Sequence, residues 1–187
     1  MPHEKEEVIK DLLKQVWGMN VVVHNPTGVA GDKDAIGNGG PNFAGQRKFD
    51  KRDDYLKAGQ EIYTQLQKLT TPRKHNVGGE SSTTKHYGLN CQGCSGLLGY
   101  MLEQKHIPFE IIYIGIGIIA GHVLIRLQQT VEQKVEEYYL DYWMARIRSN
   151  KDVTVLAEAF GPWGDYEKIM SAVAKGFYKR NAGKVIA

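Results

Sequence analysis

Three consecutive strand-like segments in the second half of the chain most constrain its fold. Apolar and β-branched residues dominate residues 109–114, 122–128 and 134–142. They follow an apolar helix that begins near Cys91 and that His106-Ile107-Pro108 ends. Because such a helix must bury its apolar stripe against another layer, we predict an α+β fold, with this helix packed across an antiparallel sheet of at least three strands.

The remaining pattern predicts few other regular elements. Helical spacing of apolar residues favours helices over residues 4–17, 53–69 and 165–177. The run Val21-Val22-Val23 predicts a short strand. Residues 73–89 are polar and are expected to form a loop, and GIGIIAG (115–121) is expected to be a flexible link.

The length of 187 residues suits one domain with a substantial core. We predict a single catalytic domain over 1–187, with its core at about 53–180. Residues 24–50 are rich in Gly, Asn and Asp and are interpreted as a loop or a junction. Their GNGG segment lacks the following Lys-Ser or Lys-Thr of a phosphate-binding loop, which argues against a nucleotide site.

The charge pattern excludes some classes of partner. The chain has 24 basic and 21 acidic residues, a formal net charge of +3. Such a mild charge gives no strong field for nucleic acid or an anionic membrane. The longest apolar run, 111–120, is too short to span a bilayer. We therefore expect neither a nucleic acid nor a membrane as partner.

The only two cysteines, Cys91 and Cys94, lie three residues apart at the start of the apolar helix. Cys91 is at the helix N-terminus, where free N–H groups and the helix dipole stabilise a thiolate and could hold an oxyanion. Asn90 suits the N-cap. Cys91 is therefore the candidate nucleophile, whereas Cys94 belongs to a predicted buried stripe. The other members of that stripe are Leu97, Leu98, Met101 and Leu102.

Other interpretations of the cysteines remain open at this point. Both could be small core residues. A zinc site would need some of the scattered His86, His106 and His122, since there is no second cysteine pair. A redox pair would be expected to follow a strand, and the sequence predicts none before Cys91.

The second and third strand segments supply a histidine and an acid. A hairpin turn about Val131 and Glu132 brings an imidazole and a carboxylate side by side, and a shift of one residue would separate them. The facing pairs in this register are His122 with Asp141, Leu124 with Tyr139, and Arg126 with Glu137.

In this order, NCQGC, HIPFEIIYI, GHVLIRL and YYLDYW resemble the papain-like and transglutaminase-like superfamily of cysteine enzymes. The first cysteine of Asn-Cys-x-x-Cys is similar to the nucleophile position of papain-fold toxin domains and of bacterial effector glutamine deamidases. The resemblance covers about residues 89–143 and places His106 where Gly is usual in a Gly-Ile-Pro pattern. True papains use the second cysteine, followed by Trp and preceded six residues earlier by Gln. Ser95 and Gly88 occupy those two positions here.

The resemblance implies a papain-like core with Cys91 as nucleophile, His122 as acid and base, and Asp141 as the group that orients the ring. Asn90 and Gln92 are candidates for the oxyanion or substrate contact, and Trp143 for a wall of the site. No metal and no cofactor are expected.

The resemblance also implies a bacterial toxin or effector that deamidates a glutamine of a target protein through a thioester. A cysteine peptidase or a transglutaminase of the same fold is the alternative, and a non-enzymatic binding module is another. The partners would be the target protein and an immunity or carrier protein. The charged start MPHEKEE predicts no secretory signal peptide. The chain would then be made in the bacterial cytoplasm and exported by a dedicated secretion system to a target-cell cytosol.

Overall fold

A computed structural model describes most of the chain. Most of the Gly-rich segment 24–50 and most of the polar segment 73–89 lie outside the described residues, as do 116–120 of the predicted link. The described residues are 3–19, 21–23, 35–36, 49–68, 86–115, 121–149, 151–173 and 183–187.

The described residues form six helices and eight strands, most of them where the sequence predicts them. None of the helices described is long and apolar enough to cross a membrane. The helices are α1 (His3–Gly18), α2 (Arg52–Lys68), α3 (Cys91–Gln104), α4 (Tyr142–Arg148), α5 (Asp152–Glu158) and α6 (Trp163–Val173). The strands are β1 (Val21–Val23), β2 (Ala35–Ile36), β3 (His86–Leu89), β4 (Glu110–Gly115), β5 (Gly121–Val131), β6 (Lys134–Leu140), β7 (Phe160–Pro162) and β8 (Lys184–Ile186).

The larger sheet is antiparallel and has five strands in the order β7-β6-β5-β4-β8. Its centre is the predicted succession β4, β5 and β6, so the expectation of an α+β fold with an antiparallel sheet is confirmed. The edge strands β7 and β8 are three residues each and were not predicted. Strands this short carry too little pattern to be distinguished from loops.

The β5–β6 hairpin is shifted by two residues from the predicted register. Val131 pairs with Lys134, so the turn is Glu132-Gln133 and not Val131-Glu132. Both turn residues have positive φ, 49° and 66°, as a two-residue type I′ turn requires. Such a turn normally carries Asn or Gly, whereas Glu and Gln stand here, so its position could not be predicted from the sequence. A shift of two keeps every side chain on its predicted face.

The last part of the third strand segment is helical instead. β6 ends at Leu140, and Tyr142 begins α4. The reason is Asp141, whose side chain accepts a hydrogen bond from the backbone N–H of Met144 and so caps the helix. Helices α4 and α5 were both missed by the sequence pattern.

A second, smaller sheet leads into the apolar helix. Its three strands are parallel, in the order β1-β3-β2. β3 ends at Leu89, so a strand does precede Cys91, and the expectation of a loop over 86–89 was wrong. The sequence HYGL is too short and too polar to show this strand.

Helices α2 and α3 cross with their backbones in contact. A Cβ atom added to Gly59 would lie 1.9 Å from the carbonyl oxygen of Gly96, and one added to Gly96 would lie 2.8 Å from the oxygen of Tyr55. Two facing glycines therefore set the approach of the helices, which fixes the depth of α3 in the core.

Gly59→Ala is expected to destabilise the fold by at least about 2 kcal/mol, because the new methyl group overlaps a backbone oxygen that cannot rotate away. Gly164→Ala in α6 is the matched control, since its methyl group would meet nothing within 4 Å. The control should be neutral or stabilising by up to about 1 kcal/mol. Urea unfolding of both variants measures these changes in unfolding free energy. If Gly59→Ala were as stable as Gly164→Ala, the close crossing of α2 and α3 would be contradicted.

Candidate active site

Cys91 is the first residue of α3 and is partly exposed. The side-chain oxygen of Asn90 accepts from the N–H of Gly93 at 2.9 Å, and the backbone oxygen of Asn90 accepts from Cys94 at 2.9 Å. The N–H groups of Cys91 and Gln92 have no acceptor among the described residues. The first turn therefore presents two free donors beside the sulfur atom.

A hydrogen bond fixes α3 against the large sheet next to the site. The hydroxyl of Ser95 donates to the backbone oxygen of Val123 in β5 at 3.0 Å, and both residues are buried. His122 is the neighbour of Val123 on that strand. The bond therefore holds the Cys91 turn close to the imidazole.

His122 is 1% exposed, and its side chain contacts Asp141 and Trp143. Its Nε2 atom lies 2.6 Å from Oδ2 of Asp141, and its ring lies 5.1 Å from that of Trp143, centre to centre. Its Nδ1 atom is buried without a hydrogen-bond partner among the described residues. Because Asp141 occupies Nε2, Nδ1 is the nitrogen left to exchange a proton with Cys91 or a substrate.

The surroundings of His122 favour its charged form. Burial alone lowers the pKa of the ring, but the charge and hydrogen bond of Asp141, together with the nearby Cys91 thiol, outweigh it and raise the pKa to about 10. An imidazolium beside Cys91 is the state that stabilises a thiolate.

Asp141 reaches His122 by a route that differs from the predicted one. The β5–β6 pairing ends at Leu140, and His122 pairs with Ile114 of β4. Asp141 follows the strand, and its N–H donates to Ala159 at 2.7 Å. Its Oδ1 caps α4, which leaves Oδ2 for His122. The structure thus brings the predicted histidine and acid together, but through a helix cap and not a strand pair.

Tyr166 of α6 is a site residue that sequence reasoning missed. Its hydroxyl donates to Oδ2 of Asp141 at 2.8 Å, and the side chain is 1% exposed. Its ring packs on Tyr139 and Trp163, with centroids 4.9 Å and 5.6 Å away. A tyrosine on the apolar face of an amphipathic helix is normally interpreted as a core residue, and nothing in the sequence links Tyr166 to Asp141.

Tyr166→Phe is expected to lower the free energy of unfolding by about 1.5–3 kcal/mol, because it removes a buried hydrogen bond to a carboxylate. Tyr139→Phe is the matched control. It removes a hydrogen bond to the uncharged backbone oxygen of Glu158 and should cost about 0.5–1.5 kcal/mol. Chemical denaturation of both variants decides this. Equal losses of unfolding free energy, or a larger loss in Tyr139→Phe, would show that Tyr166 does not bond to a charged Asp141.

Cys94 is placed as the helical spacing predicts. It is 3% exposed, and Leu97, Leu98, Met101 and Leu102 are buried with it, so the predicted stripe is confirmed. Burial raises the pKa of its thiol well above the usual value, as do Cys91 and Asp141, while Arg146 lowers it. The Cys94 thiol therefore stays protonated.

The three candidate contact residues have structural partners. Asn90 uses its side-chain oxygen in the helix cap. Gln92 lies near Tyr55, whose pKa burial raises to about 12 and Gln92 lowers. Trp143 is 7% exposed and its ring packs on that of His122. The backbone N–H groups of Cys91 and Gln92 are thus better placed to bind an oxyanion than either side chain.

The described residues do not bring a set of zinc ligands together at the two cysteines. Within the part of the chain that the structure describes, no three His, Cys, Asp or Glu side chains form a group that could hold a metal ion. His106 follows the far end of α3, about 20 Å from Cys91 at the helical rise per residue. His122 is already held by Asp141.

Comparisons with protein-family models, with curated proteins and with solved structures each found no match.

Proposed function

We propose that this chain is a cysteine-nucleophile amide hydrolase with a papain-like or transglutaminase-like core, and that it deamidates a glutamine of a target protein. The observation that carries the proposal is the buried His122–Asp141 pair, 2.6 Å apart. The Nδ1 atom of His122 has no hydrogen-bond partner among the described residues, and the nearby Cys91 contributes to the raised pKa of the ring.

The first half of the reaction forms a thioester. The Cys91 thiolate attacks the amide carbon, and the oxyanion binds the N–H groups of Cys91 and Gln92. His122 donates its Nδ1 proton to the departing ammonia. Asp141 holds the ring through Nε2 and stabilises its positive charge.

The second half hydrolyses the thioester. Neutral His122 takes a proton from water, and the resulting hydroxide attacks the acyl carbon. The thiolate leaves, and the glutamine has become glutamate. Overall, one amide and one water give one carboxylate and one ammonium ion.

The resemblance of Asn-Cys-x-x-Cys to effector and toxin deamidases supports deamidation over peptide cleavage. Ser95 stands where papains have Trp, and its hydroxyl is turned into the core toward Val123, where it cannot contact a peptide substrate. A toxin or effector of this kind would act on a protein in another cell, with an immunity or carrier protein as a second partner. Peptidase and transglutaminase activities share the same thioester.

The test is mass spectrometry of a candidate target proteome treated with the wild type or with Cys91→Ala. Glutamine converted to glutamate only by the wild type supports deamidation. New chain termini would instead show a peptidase, and glutamine–lysine crosslinks a transglutaminase. No change with any proteome, together with unmodified Cys91, would overturn the enzyme proposal in favour of a binding module.

A further inference from the structure

The two cysteines lie near enough to each other for a small shift of the chain to allow a disulfide. Cys91 is the first residue of α3 and Cys94 the fourth. Residues three apart on a helix lie on the same side, with Cβ atoms about 5–6 Å apart. Small adjustments at the end of the helix bring such a pair to the separation of a disulfide, about 3.5–4.5 Å between Cβ atoms.

The two thiols differ in access. Cys91 is partly exposed and Cys94 is buried, and both are free. A small oxidant can therefore reach Cys91 but not Cys94. The high pKa of Cys94 keeps that thiol protonated and protects it from direct oxidation.

The local frame holds the pair in place. β3 ends directly before Asn90, whose side chain caps α3. Ser95, the residue after Cys94, donates a hydrogen bond to the backbone oxygen of Val123. A strand followed by Cys-x-x-Cys at a helix N-terminus is an arrangement in which the first thiolate is reactive and the second is close enough to trap its oxidised form.

We propose that Cys91 is an oxidation site for hydrogen peroxide, and that Cys94 is the thiol that resolves it to a reversible disulfide. The Cys91 thiolate attacks one peroxide oxygen, the O–O bond breaks, and Cys91 becomes a sulfenic acid. The hydroxide released takes the proton of the His122 imidazolium and leaves as water. The Cys94 sulfur then attacks the Cys91 sulfur while its proton passes to the departing sulfenic hydroxyl, so that the S–S bond forms, the S–O bond breaks and a second water leaves.

The disulfide between Cys91 and Cys94 would have two consequences. It prevents further oxidation of Cys91 to the irreversible sulfinic acid, and a dithiol reductant restores both thiols. A sulfur bound in a disulfide cannot attack an amide, so the enzyme would be silenced reversibly. This second consequence rests on the proposed function, whereas the oxidation chemistry does not.

The test treats the reduced full chain with increasing hydrogen peroxide and follows its mass. Trypsin cuts after Lys85 and Lys105, so one peptide carries both cysteines. The wild type should lose two hydrogen atoms in that peptide and regain them with dithiothreitol, with nearly full recovery of iodoacetamide-reactive thiol. Cys94→Ala should gain two oxygen atoms at Cys91 and recover no Cys91 thiol. Cys91→Ala should remain unoxidised at Cys94 at the same dose.

The proposal would be overturned if Cys91 gained oxygen atoms in the wild type as it does in Cys94→Ala. A disulfide between different chains would also overturn it. Cys94→Ser, whose folding is checked by circular dichroism, replaces Cys94→Ala if that variant fails to fold. These readouts need no substrate. A negative result therefore leaves the amide hydrolase proposal standing, and a failed search for deamidation leaves the disulfide result standing.

Discussion

Cys91→Ala is expected to abolish amide hydrolysis, with a loss of at least about a thousandfold, while Cys94→Ala retains most of the activity. The reason is position: Cys91 lies at the helix N-terminus beside His122, and Cys94 lies in the packed stripe. Loss of a nucleophile leaves only the residual rate from binding and the oxyanion donors. Loss of one buried sulfur costs on the order of 1 kcal/mol of stability and no chemistry.

The assay is the rate of glutamine conversion in the target that the proteome experiment identifies. Unfolding curves serve as the control, because the Cys91 variant must remain folded for its loss to be assigned to chemistry. Equal and complete loss in both variants, with stoichiometric zinc in the wild type, would reject Cys91 as the nucleophile and restore the metal interpretation.

The sequence predicts the centre of the fold well, since it is the part with strong periodicity. β4, β5, β6 and the Cys91 helix have apolar residues at the spacing of their structures. The short edge strands and α4 and α5 were missed because three to seven residues carry little pattern. The hairpin register was wrong by two because Glu132 and Gln133 form a turn that usually carries Asn or Gly.

The candidate site was predicted only in part, for a different reason. The prediction that His122 meets Asp141 rests on a strand register that the structure does not have. The two side chains still meet, because Asp141 caps α4 with one oxygen and directs the other toward the ring. Such a contact depends on where one helix begins, and Asp followed by Tyr-Trp-Met-Ala-Arg is a cap signal that could have been recognised. Tyr166 could not have been predicted, because only the tertiary fold brings α6 to Asp141.

His122→Gln is expected to slow the alkylation of Cys91 by iodoacetamide at pH 6.5 by up to about a hundredfold. A positively charged imidazole beside a thiol favours the thiolate, which is the form that iodoacetamide alkylates. An ordinary thiol without such a partner is only about 1% ionised two units below a pKa of about 8.5. The rates should converge as the pH rises past that value. An unchanged profile in the variant would show that His122 is not the partner of Cys91.

The same substitution should change how stability depends on pH. The pKa of His122 is about 10 in the folded chain and about 6.5 in an unfolded one, so the folded state binds the proton more tightly. The stabilisation is fully present below pH of about 6.5 and is lost as the pH rises through about 10. Relative to His122→Gln, the wild type should therefore lose on the order of a few kcal/mol of unfolding free energy across this window. The measurement is urea denaturation at stepped pH, with the same substitution at exposed His106 as the control. Since Asp141 supplies the charge that holds this proton, Asp141→Asn should flatten the slope as His122→Gln does, and a steep slope in Asp141→Asn would show that another group titrates in this window.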